Sequence, residues 1–275
     1  MTDRYAVIGN PVAHSKSPAL QTAFAQQCGQ DMTYEAIAAP PGDFIEAVRR
    51  FQREGGKGLN ITVPFKTQAF ELADALTPRA KSAGAVNTFS FRSDGSILGD
   101  NTDGAGLIRD IARNLGYPLR KRRILLLGAG GAVRGTLRPL LDEKPAEIFI
   151  ANRTASTAVS LAREFVQFAP LAKETRLSGG GFMETGGGFD LLINGTSSGI
   201  SDEAPAIPDE CWQSVTLAYD MFYGKDPTPF LRAAQAAGVK QTSDGLGMLV
   251  EQGAESFFLW RGVRPDTAPV IAALR

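Results

Sequence analysis

Apolar positions along the chain recur in two periods, and the periods alternate. The run Tyr5-Ala6-Val7-Ile8-Gly9 reads as a strand, and a polar loop follows through Ser15-Lys16-Ser17-Pro18. Ser17 before Pro18 predicts an N-cap and a helix over 19–28 that Gly29 ends. A strand at 32–38 precedes a helix at 42–52 that carries Phe44, Ile45, Val48 and Phe51 at helical spacing. A third strand, 59–63, stops at Pro64, and helices at 65–72 and 78–83 follow it. Residues 85–91 and 97–98, either side of Ser93-Asp94-Gly95-Ser96, predict a hairpin, and 105–115 a helix. Strands at 122–127, 147–151, 191–194 and 216–220 then alternate with helices at 133–142, 156–165 and 229–237. Two more helices, 244–260 and 267–274, close the chain. The six glycines between Ser178 and Gly188 read as a surface loop. Alternation of this kind predicts an α/β fold with mostly parallel sheets.

The stretch Arg122-Arg123-Ile124-Leu125-Leu126-Leu127-Gly128-Ala129-Gly130-Gly131-Ala132 joins a buried strand to a helix through a glycine turn. Uncovered amides at a helix N-terminus, backed by the helix dipole, favour a phosphate. The dinucleotide fingerprint G-x-G-x-x-G/A is met only partly, because Val133 holds its last position. The next strand ends in Asn152-Arg153-Thr154, where the ribose-reading residue falls. No carboxylate is there for a 2′-hydroxyl, whereas Arg153 offers a planar fork to a 2′-phosphate, which favours NADP over NAD.

Composition narrows the chemistry. A length of 275 residues predicts two domains, and 29 basic against 29 acidic residues remove the electrostatic case for nucleic acid or an anionic membrane as partner. No run approaches the roughly 18 apolar residues of a membrane helix. Cys28 and Cys211 lie far apart with no His or Cys companions, so neither a metal site nor a disulfide framework is expected, and the expected compartment is the cytoplasm. The single histidine, His14, leaves acid–base work to Lys, Asp, Glu or Tyr. Three polar clusters precede the glycine turn: Ser15-Lys16-Ser17, Asn60 through Lys66, and Asn87 with Asp100-Asn101-Thr102-Asp103. Each is placed after the C-terminal end of a predicted parallel strand, the edge where open α/β sheets bind ligands.

These blocks, with Gly9 through Pro18, Gly84-Ala85-Val86-Asn87-Thr88, Gly99 through Gly104 and Asp244 through Gln252, resemble the signature blocks of the shikimate dehydrogenase family, in that family's order and over nearly the whole chain. The resemblance implies a substrate-binding and catalytic domain at 1–103 and 238–275, and a Rossmann-like NADP domain at 104–237. The implied reaction is reversible NADPH-dependent reduction of 3-dehydroshikimate to shikimate, on the route to chorismate and the aromatic amino acids. By carry-over, Lys66 and Asp103 are the catalytic pair. Ser15 and Ser17 bind the substrate carboxylate, and Thr62, Asn87, Tyr223 and Gln252 contact or orient the ring. Gly128, Ala129, Gly130, Gly131, Ala132, Asn152, Arg153 and Thr154 hold the cofactor phosphates, with Met221 and Gly245 near the nicotinamide end. The expected assembly is a monomer or homodimer.

Lys66 is the candidate proton donor to the carbonyl oxygen. A free lysine titrates near about 10.4 and general acids work best near the operating pH, so Asp103 is assigned to orient the ammonium and the substrate hydroxyl. Two positions depart from the family pattern. Thr157 stands where a basic residue is common, which implies a weaker 2′-phosphate clamp, and Pro78 stands where an acidic one is common. A quinate/shikimate paralogue with relaxed cofactor use is the nearest alternative. A non-catalytic NADPH-sensing module should have lost Lys66 or Asp103, and a methylene-tetrahydrofolate dehydrogenase does not fit the Ser15, Ser17 and Asp103 blocks.

Overall fold

The computed structural model of the chain describes residues 2–166, 174–196 and 203–275, which divide into two compact units, Met1–Gly106 with Leu249–Leu274 and Leu107–Met248 with Arg275. The first unit opens with β1 (Asp3–Gly9), α1 (Ser17–Gln27), β2 (Met32–Ala38), α2 (Phe44–Arg53) and β3 (Gly56–Ile61). It continues with α3 (Lys66–Leu72), β4 (Ala75–Leu76), α4 (Pro78–Ala83), β5 (Thr88–Phe91) and β6 (Ile97–Asp100). Its sheet has the order β2-β1-β3-β5-β6-β4. The β1 pairs are parallel, while β5 runs antiparallel to both β3 and β6. On one face α2 buries Phe44, Ala47, Val48 and Phe51, spaced three and four apart, against Ile8, Leu59, Ile61 and Phe89. Ile45 falls off that stripe and is 54% exposed, so it belongs to the surface and not to the expected apolar face.

The chain enters the second unit within α5 (Asp103–Arg109), whose last turn continues as a π-helical segment, Asp110–Asn114. There follow β7 (Arg123–Leu127), α6 (Gly131–Asp142), β8 (Glu147–Asn152), α7 (Ala155–Val166) and β9 (Arg176–Gly181). After these come β10 (Leu191–Asn194), β11 (Leu217–Asp220), α8 (Pro229–Ala236) and β12 (Gln241–Ser243). The sheet order is β12-β11-β10-β7-β8-β9, and every pair is parallel. This is the doubly wound order with β7 at the centre, and the order reverses beside the glycine turn.

The expected loop over 178–188 begins as a strand. Its first glycines are part of β9, an edge strand paired with β8. A β-carbon on Gly179 would lie 2.5 Å from the Ala158 carbonyl oxygen, so bare backbone lets α7 settle on the strand. β12 was likewise absent from the sequence expectation; it pairs with β11, so residues up to Met248 run with the second unit.

The chain returns through α9 (Leu246–Arg261) and ends in α10 (Ala268–Leu274). Within the first unit, Val250, Ala254 and Phe257 of α9 pack on Leu20 and Phe24 of α1. Near the end of α9, Trp260 donates its indole N–H to the Phe89 carbonyl, and Gly58 leaves room for that ring. Glu255 is held between Arg79 and Arg264. Burial alone would raise its carboxyl, but the bonds and charges of Arg264 and Arg79 outweigh burial and hold it below the usual range. A depressed carboxyl contributes stability above its unfolded pKa, about 4.3, and loses it as pH falls through the folded value. Glu255→Gln is therefore expected to lower Tm at neutral pH, with the gap to the parent closing on acidification through the carboxylate range. A gap that stays constant or widens in acid would contradict that assignment.

Candidate active site

Three neighbouring strands, β3, β5 and β6, bring the sequence-predicted residues of the first unit to one sheet edge. Asn60 pairs in register with Thr88, and Thr88 with Asp100. Because β5 is antiparallel, Asn87 stands at its N-terminal end and not, as expected, after the C-terminal end of a parallel strand. The reversal still delivers it to the edge where β3 and β6 finish. Lys66, the first residue of α3, and Asp103, the first of α5, follow those two strands directly.

Lys66 Nζ lies 2.7 Å from Asp103 Oδ2. The other carboxylate oxygen, Oδ1, accepts from Asn87 Nδ2 at 2.8 Å. The orientation of the Asn87 amide is unambiguous, because its Oδ1 accepts the Thr102 backbone N–H at 2.9 Å and a peptide N–H can only donate. Its Nδ2 therefore faces Asp103, Thr102 Oγ1 at 2.9 Å and Gln252 Oε1 at 3.4 Å. Asn87 is 2% exposed, and its amide ties Asp103 and Thr102 to Thr88 and Gln252. Gln252 on α9 accepts from Thr102 Oγ1 at 3.3 Å and donates Nε2 to the Leu249 carbonyl.

Behind this group lies a polar layer that sequence reasoning assigned no role. Asn60 Nδ2 donates to Thr88 Oγ1 and Ser256 Oγ, and its Oδ1 accepts from the Tyr34 phenol at 2.7 Å. Thr88, Thr102 and Ser256 are fully buried. Ser256 follows Gln252 by one helical turn, so its position on the inward face of α9 was the available signal. Burial drives the Tyr34 phenol well above its usual pKa, and the Ser17 side chain lies against it.

Ser17 does not cap α1 as expected. The cap position is Lys16, without a side-chain bond, and Ser17 contributes its own N–H to Ser15 Oγ at 3.2 Å. The shift leaves the Ser17 hydroxyl at the helix start without a capping duty. Thr62 packs its methyl where a β-carbon on Gly9 would be, 2.3 Å away in an ideal build, which accounts for glycine at that position.

The remaining predicted residues belong to the second unit. Gly128 has φ +103°, a left-handed conformation suited to glycine, and its Cα approaches the Gly195 backbone. Gly130 caps α6 with no side chain, and β-carbons on Gly130 or Gly131 would meet no atom within 4 Å. Ala129 and Ala132 flank them, and the first-turn amides stand open to an anion. Asn152 Nδ2 donates to the Thr154 carbonyl, which shapes the turn after β8. Arg153 is exposed on that turn and makes no ion pair with the described residues. An uncapped helix end, an open glycine surface and a fork-shaped cation at the end of β8 fit a dinucleotide with a 2′-phosphate. Met221 donates its N–H to the Asn194 carbonyl, and a β-carbon on Gly245 would strike the Met221 oxygen at 2.1 Å. Tyr223 is half-buried, and burial raises its phenol. Among the described residues no cluster of His, Cys, Asp and Glu could hold a metal, and no helix is long and apolar enough to cross a membrane.

Three family models match the chain. They describe a shikimate dehydrogenase substrate binding domain over residues 7–89, a shikimate / quinate 5-dehydrogenase domain over 110–177, and a shikimate 5′-dehydrogenase C-terminal domain over 245–275. A curated relative from Aromatoleum aromaticum, shikimate dehydrogenase (NADP(+)), is 56% identical over 99% of this chain and 97% of its own. Among solved structures, an Ael1 enzyme from Pseudomonas putida is 48% identical with a TM-score of 0.93, covering 99% of this chain and 98% of its own. A shikimate 5-dehydrogenase from Thermus thermophilus, solved with NADP(H) and shikimate, is 34% identical with a TM-score of 0.86, again over 99% and 98%.

Proposed function

The chain belongs to the shikimate dehydrogenase family, and we propose that Lys66 and Asp103 carry its reversible NADPH-dependent reduction of 3-dehydroshikimate to shikimate. The observation that carries the residue assignment is the 2.7 Å contact of Lys66 Nζ with an Asp103 carboxylate whose second oxygen is already held by Asn87. NADPH supplies the hydride to the substrate carbonyl carbon. As negative charge develops on the carbonyl oxygen, the Lys66 ammonium gives it a proton, and in the oxidative direction the lysine takes that proton back. Asp103 holds the ammonium in place and presents an acceptor to a neighbouring substrate hydroxyl. Ser15 and Ser17 at the start of α1 donate to the substrate carboxylate, while Thr62, Asn87, Gln252 and Tyr223 orient the ring. The first unit takes the substrate, and the second takes NADP through residues 128–132 and 152–154, with Met221 and Gly245 toward its nicotinamide.

The assay is NADP⁺ reduction with shikimate, run against quinate and against NAD⁺. Turnover with shikimate and NADP⁺ well above the other pairs is expected, and absence of turnover with any pair would refute the reading. Ser17→Ala removes one donor to a charged group, worth about 1.5–3 kcal/mol, so KM for shikimate should rise about ten- to hundredfold with kcat little changed. An unchanged KM would take Ser17 out of the carboxylate site.

A further inference from the structure

Arg79, the second residue of α4, forks onto Asp100, with Nε 2.7 Å from Oδ1 and Nη2 2.8 Å from Oδ2. Asp100 is 4% exposed and plays no part in the reaction described above. Its Oδ1 also accepts the Thr77 hydroxyl at 2.6 Å and the Asn101 backbone N–H at 2.7 Å. Asn101 then ties the turn at both ends, donating Nδ2 to the Ala85 carbonyl and accepting the Asp103 N–H, each at 3.1 Å. Hydrogen bonds thus run unbroken from the Arg79 guanidinium to the backbone of Asp103. The third guanidinium nitrogen, Nη1, reaches Glu255 Oε1 at 2.9 Å on α9, three residues beyond Gln252 and on the same side of that helix. The other Glu255 oxygen meets Arg264.

We infer that Arg79 is a positioning residue that sets the Asp100–Asp103 turn against the segment of α9 carrying Gln252, and so aims the Asp103 carboxylate at Lys66. A buried ion pair is weak evidence for stability, since apolar residues of similar volume often serve as well. A planar fork bonded to two carboxylates on separate elements instead fixes their spacing and direction, which a single ammonium cannot do. The geometry it governs is consequential, because a misplacement of about 1 Å in a reacting group can cost about a hundredfold in rate.

The inference rests on reading Asp103 and Lys66 as the reacting pair, and Arg79→Lys tests it with the charge retained. Steady-state kinetics should show kcat reduced about tenfold or more while KM for NADP⁺ stays within about twofold of the parent. The loss should persist at temperatures well below Tm. Glu255→Gln, which leaves the fork on Asp100 intact, should reduce kcat less than Arg79→Lys. If Arg79→Lys does not fold, Asp100→Asn removes the same fork from the opposite side and should show the same split. A parental kcat in a folded Arg79→Lys or Asp100→Asn, or a loss that only follows the unfolded fraction, would overturn the positioning role. Lys66→Ala run alongside separates the two claims. Retained kcat there refutes the reading of the pair, whereas lost kcat there with parental kcat in Arg79→Lys refutes only the positioning.

Discussion

Lys66→Ala is expected to lower kcat by about 10²–10⁴-fold, the usual worth of a positioned general acid, while KM for shikimate and NADP⁺ changes little. The split follows from the contacts. Lys66 is bonded to Asp103 and not to Ser15 or Ser17, so its removal takes away the proposed proton donor and leaves the proposed carboxylate anchors in place. Asp103 would keep its bond from Asn87 and would not be stranded, and about a third of the Lys66 side chain is exposed, so the fold should survive the change. A folded variant with near-parental kcat would remove Lys66 from the chemistry. A large rise in KM with unchanged kcat would reassign it to ground-state binding.

Arg153→Ala is expected to raise KM for NADPH about tenfold and to leave KM for NADH nearly unchanged, collapsing the preference between the two cofactors. A charge-assisted bond to a phosphate is worth about 1.5–3 kcal/mol, and the lower end applies because Arg153 is exposed on its turn. The same exposure makes the effect salt-dependent, so the difference between parent and variant should shrink as ionic strength rises. Thr157 lies in the first turn of α7, where its exposed side chain offers no charge. On the proposed reading Arg153 is the cation of this clamp, and Thr157→Arg should strengthen selection for NADPH. Equal loss of affinity for both cofactors in Arg153→Ala would place the residue away from the 2′-phosphate.

Much of this site was legible in the linear chain, and the misreadings share a cause. Lys66 and Asp103 entered through the family blocks that contain them, and the fold brings the two side chains to 2.7 Å. Asn87 was placed on that edge for the wrong reason, since pairing direction is a non-local property and β5 runs opposite to its neighbours. Ser17 read as an N-cap by local preference, but the Ser15 hydroxyl accepts the Ser17 N–H, the helix begins at Ser17 and the cap position falls on Lys16. The glycines of β9 read as a loop because a glycine's reason for being in a strand is the neighbour that presses on it, and that neighbour, α7, lies in another part of the sequence.

The sequence by itself determined the α/β class, most element positions, the glycine turn, Arg153 in place of a ribose-binding carboxylate, and the membership that the family blocks announced. These are local features: period, capping chemistry, turn residues and short motifs all act within a few residues. Only the tertiary structure decided the direction of β5, the place of β9, and which hydrogen bond each polar group makes. Asn60, Thr88, Thr102 and Ser256 come from four separate stretches, and only their burial together forces each amide and hydroxyl to find its partner there. The carboxylate that faces Lys66 is aimed by that same packing, through Asn87 on one side and the Arg79–Asp100 fork on the other. Spacing along the chain carries no record of such convergence, because it arises from long-range contacts between elements that are distant in sequence.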